Sequence, residues 1–110
     1  MQASRRAIAQ LPAGSEIYLD HVGHFVDGAD AASMALTRAG FTPTPASVQV
    51  NPDPAGGPPR LTGTGNVCAM LRGGYLEMLF KTAATPLGAE FDQARARHAG
   101  LHLVAFAIDD

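Results

Sequence analysis

Residues 17–27, IYLDHVGHFVD, form a short apolar run with a histidine at its centre, and a run of the same outline closes the chain. In each run a histidine, His21 or His102, is followed four residues later by a phenylalanine, Phe25 or Phe106, and soon afterwards by an aspartate. Short runs rich in β-branched and aromatic residues are typical of strands. We therefore predict two related strands, one in the run that contains His21 and one in the run that contains His102.

A third strand-like run, YLEMLF at residues 75–80, lies between them and carries one carboxylate, Glu77. A charged side chain in a run that is otherwise suited to burial is costly unless a partner compensates it. Two imidazoles and a carboxylate, each on its own strand, are donors that divalent metal ions take in proteins. The pattern indicates a candidate metal site of His21, Glu77 and His102. For any one of these histidines, a hydrogen-bonded place in the core is the alternative.

Composition limits the partners and the compartment. The chain has 110 residues, 46% of them hydrophobic, which is enough for one small domain with a core. With a net charge of −2, it lacks the basic surface that nucleic acid or an anionic membrane would require. It also has no apolar run of the roughly 20 residues that span a bilayer. The single cysteine, Cys68, excludes an internal disulfide and suits a reducing compartment. We expect a cytoplasmic protein with Cys68 in its core.

Periodicity and turn residues predict the order of the elements. Pro43 and Pro45 cannot donate ladder hydrogen bonds, so the segment that holds them is expected at an edge of the sheet or at a bulge. The predicted elements are a helix over 3–10, a strand over 17–26, a helix over 29–39, an extended segment over 41–50, a loop over 51–65, hairpin strands over 66–71 and 75–80, a helix over 87–98 and a strand over 101–108. This mixture of helices and strands predicts an α+β fold.

Alternation along the strands predicts which side chains meet. Successive side chains of a strand point to opposite faces. His21 is therefore expected on one face with Leu19, and His24 on the other. On a curved sheet His21, Glu77 and His102 would then converge on the concave side.

These residues resemble the glyoxalase/bleomycin-resistance/dioxygenase superfamily, also called the vicinal oxygen chelate fold, and within it the glyoxalase-like domains. The resemblance covers residues 18–110. The motifs that carry it are Leu19-Asp20-His21-Val22, Ala39-Gly40-Phe41, Gly63-Thr64-Gly65-Asn66, Gly74-Tyr75-Leu76-Glu77 and Gly100-Leu101-His102.

The resemblance implies a division of the chain into three parts. An N-terminal helical extension would occupy residues 1–16, and a first βαβββ module residues 17–82. Residues 83–110 would hold a linking helix and the first strand of an incomplete second module. In the family two modules face each other to form a cupped sheet, and a further glutamate on the last strand of the second module has no counterpart here. The resemblance therefore implies a homodimer or a longer two-module chain.

The resemblance also implies a function. The metal ligands would be His21, Glu77 and His102, with Glu77 also moving a proton as the catalytic carboxylate. The substrate-binding side chains would be Phe25, Asn66, Tyr75 and Phe106. The ion, if there is one, could be Zn, Ni, Mn or Fe. The implied protein is a metal-dependent enzyme, an isomerase, lyase or dioxygenase, acting on a small oxygenated molecule. The alternative is a metal-free protein that binds or sequesters a small molecule, as in bleomycin resistance.

Overall fold

The computed structural model describes residues 11–109, and the predicted helix at residues 3–10 lies outside that range. The elements are β1 (Ile17–Phe25), α1 (Ala29–Arg38), β2 (Ser47–Asn51), β3 (Arg60–Met70), β4 (Tyr75–Lys81), α2 (Pro86–Arg97) and β5 (Leu103–Ile108). The order β-α-β-β-β, followed by a helix and a strand, confirms the predicted α+β fold. No helix within the described range is long and apolar enough to cross a membrane.

The five strands form a single sheet in the order β2-β3-β4-β1-β5. β1 runs parallel to β4, whereas the other neighbouring pairs are antiparallel. The expectation of an edge position next to the two prolines is confirmed, since β2 is an edge strand and its ladder begins only at Ser47. Pro43 makes an isolated bridge to Ala69 before that ladder starts.

Helix α1 covers one face of the sheet. Its two buried residues, Ala32 and Leu36, are four positions apart and therefore lie on one side of the helix. They pack against Val67, Ala69 and Phe80 to form the buried core cluster. Burial of apolar side chains of this kind is the main source of stability in a domain of this size.

Strand β3 is longer than the sequence pattern predicted, and the loop before it is shorter. Residues 60–65 were expected to belong to the loop, but they are part of β3, and Arg60, Leu61 and Gly65 pair with β2. The glycines in this stretch allow close packing against neighbouring segments and do not form a turn. Gly63 has a φ of 79° and lies against Thr85, while its carbonyl oxygen accepts hydrogen bonds from the amides of residues 82 and 83. Gly63 thus lets the connection from β4 to α2 cross close to β3.

The start of α2 is fixed to β3 through one threonine. The Thr85 hydroxyl accepts a hydrogen bond from the Gly88 amide at 3.0 Å, which caps the helix. The same hydroxyl donates to the carbonyl oxygen of Thr62 at 2.7 Å. Pro86 follows the cap at a position where no amide hydrogen is needed.

Strand β1 contains an irregularity at Asp20. Its pairing with β5 shifts register between Leu19, which lies opposite Phe106, and His21, which lies opposite Ala105. A bulge of this kind breaks the alternation of side chains along the strand. The prediction that Leu19 and His21 share a face is therefore wrong.

The face of β5 opposite Ala105 is apolar and exposed. Val104, Phe106 and Ile108 alternate with the half-buried residues of the strand, and each is more than half exposed. They point away from the face that carries Ala105, and hence away from His21.

Replacing Gly63 with alanine tests the close crossing at Thr85. A β-carbon there would overlap the Thr85 side chain, and a positive φ adds strain for any residue with a β-carbon. Gly40→Ala is the matched control, because Gly40 also has a positive φ, 94°, but open space around it. We expect Gly40→Ala to lower the free energy of unfolding by about 1–3 kcal/mol, and Gly63→Ala to lower it clearly more. Chemical denaturation measures both, and equal losses would contradict the crossing.

Candidate functional site

His21 and Glu77 meet on the face of the sheet opposite α1. The parallel register of β1 and β4 places His21 opposite Tyr75 and Gly23 opposite Glu77, so the two titratable side chains share a face. The Nε2 atom of His21 lies 3.5 Å from Oε1 of Glu77. Glu77 is buried, with 9% of its surface exposed. This part of the prediction, a common face for His21 and Glu77, is confirmed.

Each member of the pair is held by a second polar group. Nδ1 of His21 lies 2.8 Å from Oδ2 of Asp20. Oε2 of Glu77 accepts a hydrogen bond from the Asn66 side-chain amide, also at 2.8 Å. Because a carboxylate can only accept, the His21 proton is on Nδ1 at this contact. Nε2 of His21 and Oε1 of Glu77 are left facing each other.

A positive charge in the gap between these two atoms would be stabilised by both of them. A lone pair on a neutral imidazole repels a carboxylate oxygen, whereas a proton on Nε2 or a cation near both atoms would be attracted to them. At 3.5 Å the atoms are farther apart than in an ordinary N–H···O hydrogen bond. Nitrogen and oxygen ligands of a tetrahedral ion, each about 2.0–2.2 Å from it, are themselves about 3.4 Å apart. The two donors therefore fit a shared divalent ion.

The structure does not bring His102 to this pair. The residue lies just before β5 rather than in it, and its ring contacts Phe25 at 4.8 Å between centroids. Nδ1 of His102 accepts a hydrogen bond from the Phe25 amide at 3.2 Å, and Nε2 lies 2.7 Å from the carbonyl oxygen of His98. Both ring nitrogens are thus engaged, and no lone pair is left for an ion. The predicted convergence of three ligands is not found, and residues 11–109 contain no group of three such side chains placed to hold a metal.

His102 instead belongs to a group of three imidazoles near the C-terminal end of α2. The ring of His102 lies 5.7 Å from that of His24 and 5.2 Å from that of His98. Burial lowers the pKa of His24, and the neighbouring His102 and His98 lower it further. His24 is opposite Met78 in the register, one position beyond the pair of Gly23 with Glu77. The prediction that His24 points away from Glu77 is confirmed.

Tyr75 and Cys68 complete the surroundings of the pair. The Tyr75 ring stacks on His21, with centroids 4.3 Å apart and planes inclined by 9°. Burial raises the pKa of Tyr75, and the charges of Glu77 and Asp20 raise it further. Cys68 lies opposite Glu77 across the β3–β4 hairpin, and burial followed by the Glu77 charge raises the pKa of its thiol. The expectation that Cys68 is a buried residue is confirmed, whereas its place beside Glu77 was not foreseen.

A pocket of about 250 Å³ opens beside His21 and Tyr75. It lies between the Asp20 bulge and the β3–β4 hairpin, where Leu71 and Gly74 also line it. Tyr75, one of the predicted substrate contacts, thus lines a pocket, and its role as a substrate contact stays a prediction.

The two predicted phenylalanine walls lie elsewhere. Phe25 packs against Phe91 of α2, with ring centroids 4.5 Å apart. Phe106 is 63% exposed on the opposite face of the sheet, because the bulge and the register place Ala105, not Phe106, on the side of His21. Phe25 thus lies beside α2 and Phe106 on the exposed face, and their role as substrate contacts stays a prediction.

An apolar residue that sequence reasoning missed lies near the pair instead. The Leu103 side chain packs over Gly23, directly where a β-carbon of that glycine would be. Leu103 also lies opposite Gly23 in the β1–β5 register. The glycine in the HVGHF run is the feature of the sequence that pointed to such a close approach.

Titration of Tyr75 tests the electrostatics of the site. The chain has two tyrosines, so a Tyr18→Phe background isolates Tyr75. Glu77→Gln removes a negative charge that opposes formation of the phenolate, and we expect it to lower the pKa of Tyr75. Glu90→Gln, on the exposed surface of α2, is the control and should leave that pKa unchanged. Near-ultraviolet absorbance as a function of pH measures the pKa of Tyr75 in both variants. An unchanged pKa of Tyr75 in Glu77→Gln would contradict the placement of Glu77 beside Tyr75.

Comparisons with known proteins place this chain in a family. The family model described as glyoxalase-like domain matches residues 19–110. The fold is similar to the crystal structure of hypothetical protein BH1468 from Bacillus halodurans C-125, with a TM-score of 0.56 and 18% sequence identity. That match covers 86% of this chain, which spans 61% of the length of the other. A search of curated proteins found no match. With nearly all of the described sheet inside the matched range, the chain belongs to the glyoxalase-like domain family.

Proposed function

We propose that this chain provides the first half of the site of a metal-dependent enzyme that acts on a small oxygenated molecule. His21 and Glu77 would be two of the ligands of a divalent ion. The observation that carries the proposal is the pair of acceptor atoms, Nε2 of His21 and Oε1 of Glu77, that face each other at 3.5 Å while their other polar atoms are occupied.

The chemistry follows from the residues. A divalent ion held there would supply a Lewis acid for two adjacent substrate oxygens, as isomerases and lyases need, or a centre for dioxygen activation if the ion is iron. Glu77 is the candidate for moving a substrate proton, since its buried carboxylate is oriented by Asn66 and faces the site. Asn66 thus supports the carboxylate directly, which revises its predicted role as a substrate contact.

The substrate would reach the site at the pocket beside His21. Tyr75 stacks on the imidazole and lines that pocket, so it can limit the size of a bound molecule and shield the ligand atoms from water. A volume of about 250 Å³ suits a small molecule.

The remaining ligands would come from outside the described residues. Two protein ligands fall short of the three that catalytic metal sites of this kind use. A second copy of the chain, or a second module in a longer chain, would supply them. His102 is not part of this proposal, because ligation would break both of its ring hydrogen bonds.

A metal-free binding protein is the second candidate, and one observation favours it. His21 lies between two carboxylates, Asp20 at 2.8 Å and Glu77 at 3.5 Å. A protonated His21 would balance much of their charge without any ion. The pocket would then hold a small molecule against Tyr75, as in proteins that sequester a drug.

Metal titration of matched variants separates the two candidates. Glu77→Gln keeps the volume of the side chain but replaces a carboxylate ligand with a neutral amide. Loss of a residue that merely supports a ligand costs about 10–100-fold in affinity, so we expect a loss of at least that size. His24→Gln is the control, since His24 points to the other face, and should bind as the wild type does.

Calorimetry with Zn²⁺, Ni²⁺, Mn²⁺ and, without oxygen, Fe²⁺ measures these affinities. Equal affinity in the wild type and Glu77→Gln would contradict the assignment of Glu77 as a ligand. The titrations use the chain together with the partner copy or second module that would supply the remaining ligands. If that complete wild-type form binds none of the four ions, the binding-protein candidate replaces the enzyme.

A further inference from the structure

The contact between Asp20 and His21 joins two side chains that are adjacent in sequence. In a regular strand such neighbours point to opposite faces and cannot reach each other. Here Oδ2 of Asp20 and Nδ1 of His21 are 2.8 Å apart. The register shift between Leu19 and His21 in the β1–β5 pairing marks the irregularity that makes this contact possible.

A glycine just before the neighbouring strand makes room for the irregularity. Gly74, the residue before β4, lies so close to β1 that a β-carbon on it would overlap the carbonyl oxygen of Asp20. Gly73, one residue earlier, has open space where its β-carbon would be. The two glycines therefore have different reasons to be there, although they are neighbours in the same hairpin.

The ring of His21 is held from two sides. Asp20 contacts its Nδ1 edge, and Tyr75 stacks on its face. The Asp20 side chain is 45% exposed, so this contact contributes little to stability in water. Its effect is on orientation, because it decides which nitrogen of His21 carries the proton.

We infer that Asp20 is a positioning residue, which holds His21 in the tautomer with its proton on Nδ1, and that Gly74 is the residue that permits the necessary bulge. The inference rests on the proposed function in one respect only, the use of the Nε2 lone pair toward a ligand. The tautomer itself is a property of the protein alone, and it can be measured without any ion.

The experiment compares the wild type with four variants, all without metal and at the same mildly alkaline pH. Long-range ¹H–¹⁵N spectra of the histidine rings show which nitrogen is protonated, and His21→Gln assigns the His21 signals. For His21 in the wild type we expect a protonated Nδ1 and a bare Nε2. Asp20→Asn should keep this pattern, since its amide oxygen can still accept the hydrogen bond.

Three further variants make the test specific. Asp20→Ala and Gly74→Ala should both release His21 into exchange between its two tautomers. Gly73→Ala should match the wild type, which separates the bulge from a general effect of a longer side chain in the hairpin. Circular dichroism confirms that each variant is folded. If Gly74→Ala does not fold, Asp20→Ala and Asp20→Asn still decide whether Asp20 sets the tautomer of His21.

The outcomes of the two proposals are distinguishable. If the His21 tautomer in Asp20→Ala equals that of the wild type, the inference is overturned, whatever the protein binds. If the wild type holds the Nδ1 proton and Asp20→Ala does not, the inference stands even when no ion binds to the wild type. If Zn²⁺ does bind, Asp20→Ala should weaken it by about 10–100-fold and Asp20→Asn by less.

Discussion

The parallel pairing of β1 with β4 is the constraint on which the rest of the site depends. It places Gly23 opposite Glu77 and brings His21 within 3.5 Å of the carboxylate. Because Gly23 has no side chain, Leu103 can lie over β1 at this point. α1 packs on the other face, so the polar pair and the main apolar core are separated by the thickness of one sheet.

Charge explains why the pair suits a ligand. Asp20, His21, Asn66 and Glu77 form a continuous series of polar contacts with two carboxylates and one imidazole. Asn66 contacts Oε2 of Glu77, and Asp20 contacts Nδ1 of His21. Oε1 of Glu77 and Nε2 of His21 are therefore left directed at each other. The two candidate functions differ in what neutralises this arrangement, a divalent ion or a proton on His21.

The local elements and their order could be predicted from the sequence, because β-branched runs, helix caps and hairpin glycines are local features. The pairing of His21 with Glu77 also followed from strand alternation. The errors arose where tertiary contacts override local preference. Gly63 and Gly65 suggested a loop, but they allow β3 to pass close to Thr85 and β2. The bulge at Asp20 places Leu19 and Phe106 on the face opposite His21. The hydrogen bonds of His102 hold its ring away from the His21–Glu77 pair. None of these three effects leaves a periodic mark in the sequence.

The parallel β1–β4 pairing also bears on how the chain folds. The β3–β4 hairpin joins neighbouring segments and can form early, whereas β1 must wait for most of the module to be placed before it meets β4. Closing the loop between β1 and β4 costs conformational entropy before any contact between the two strands forms. From this difference in sequence separation we expect the His21–Glu77 pair to form later in folding than the β3–β4 hairpin.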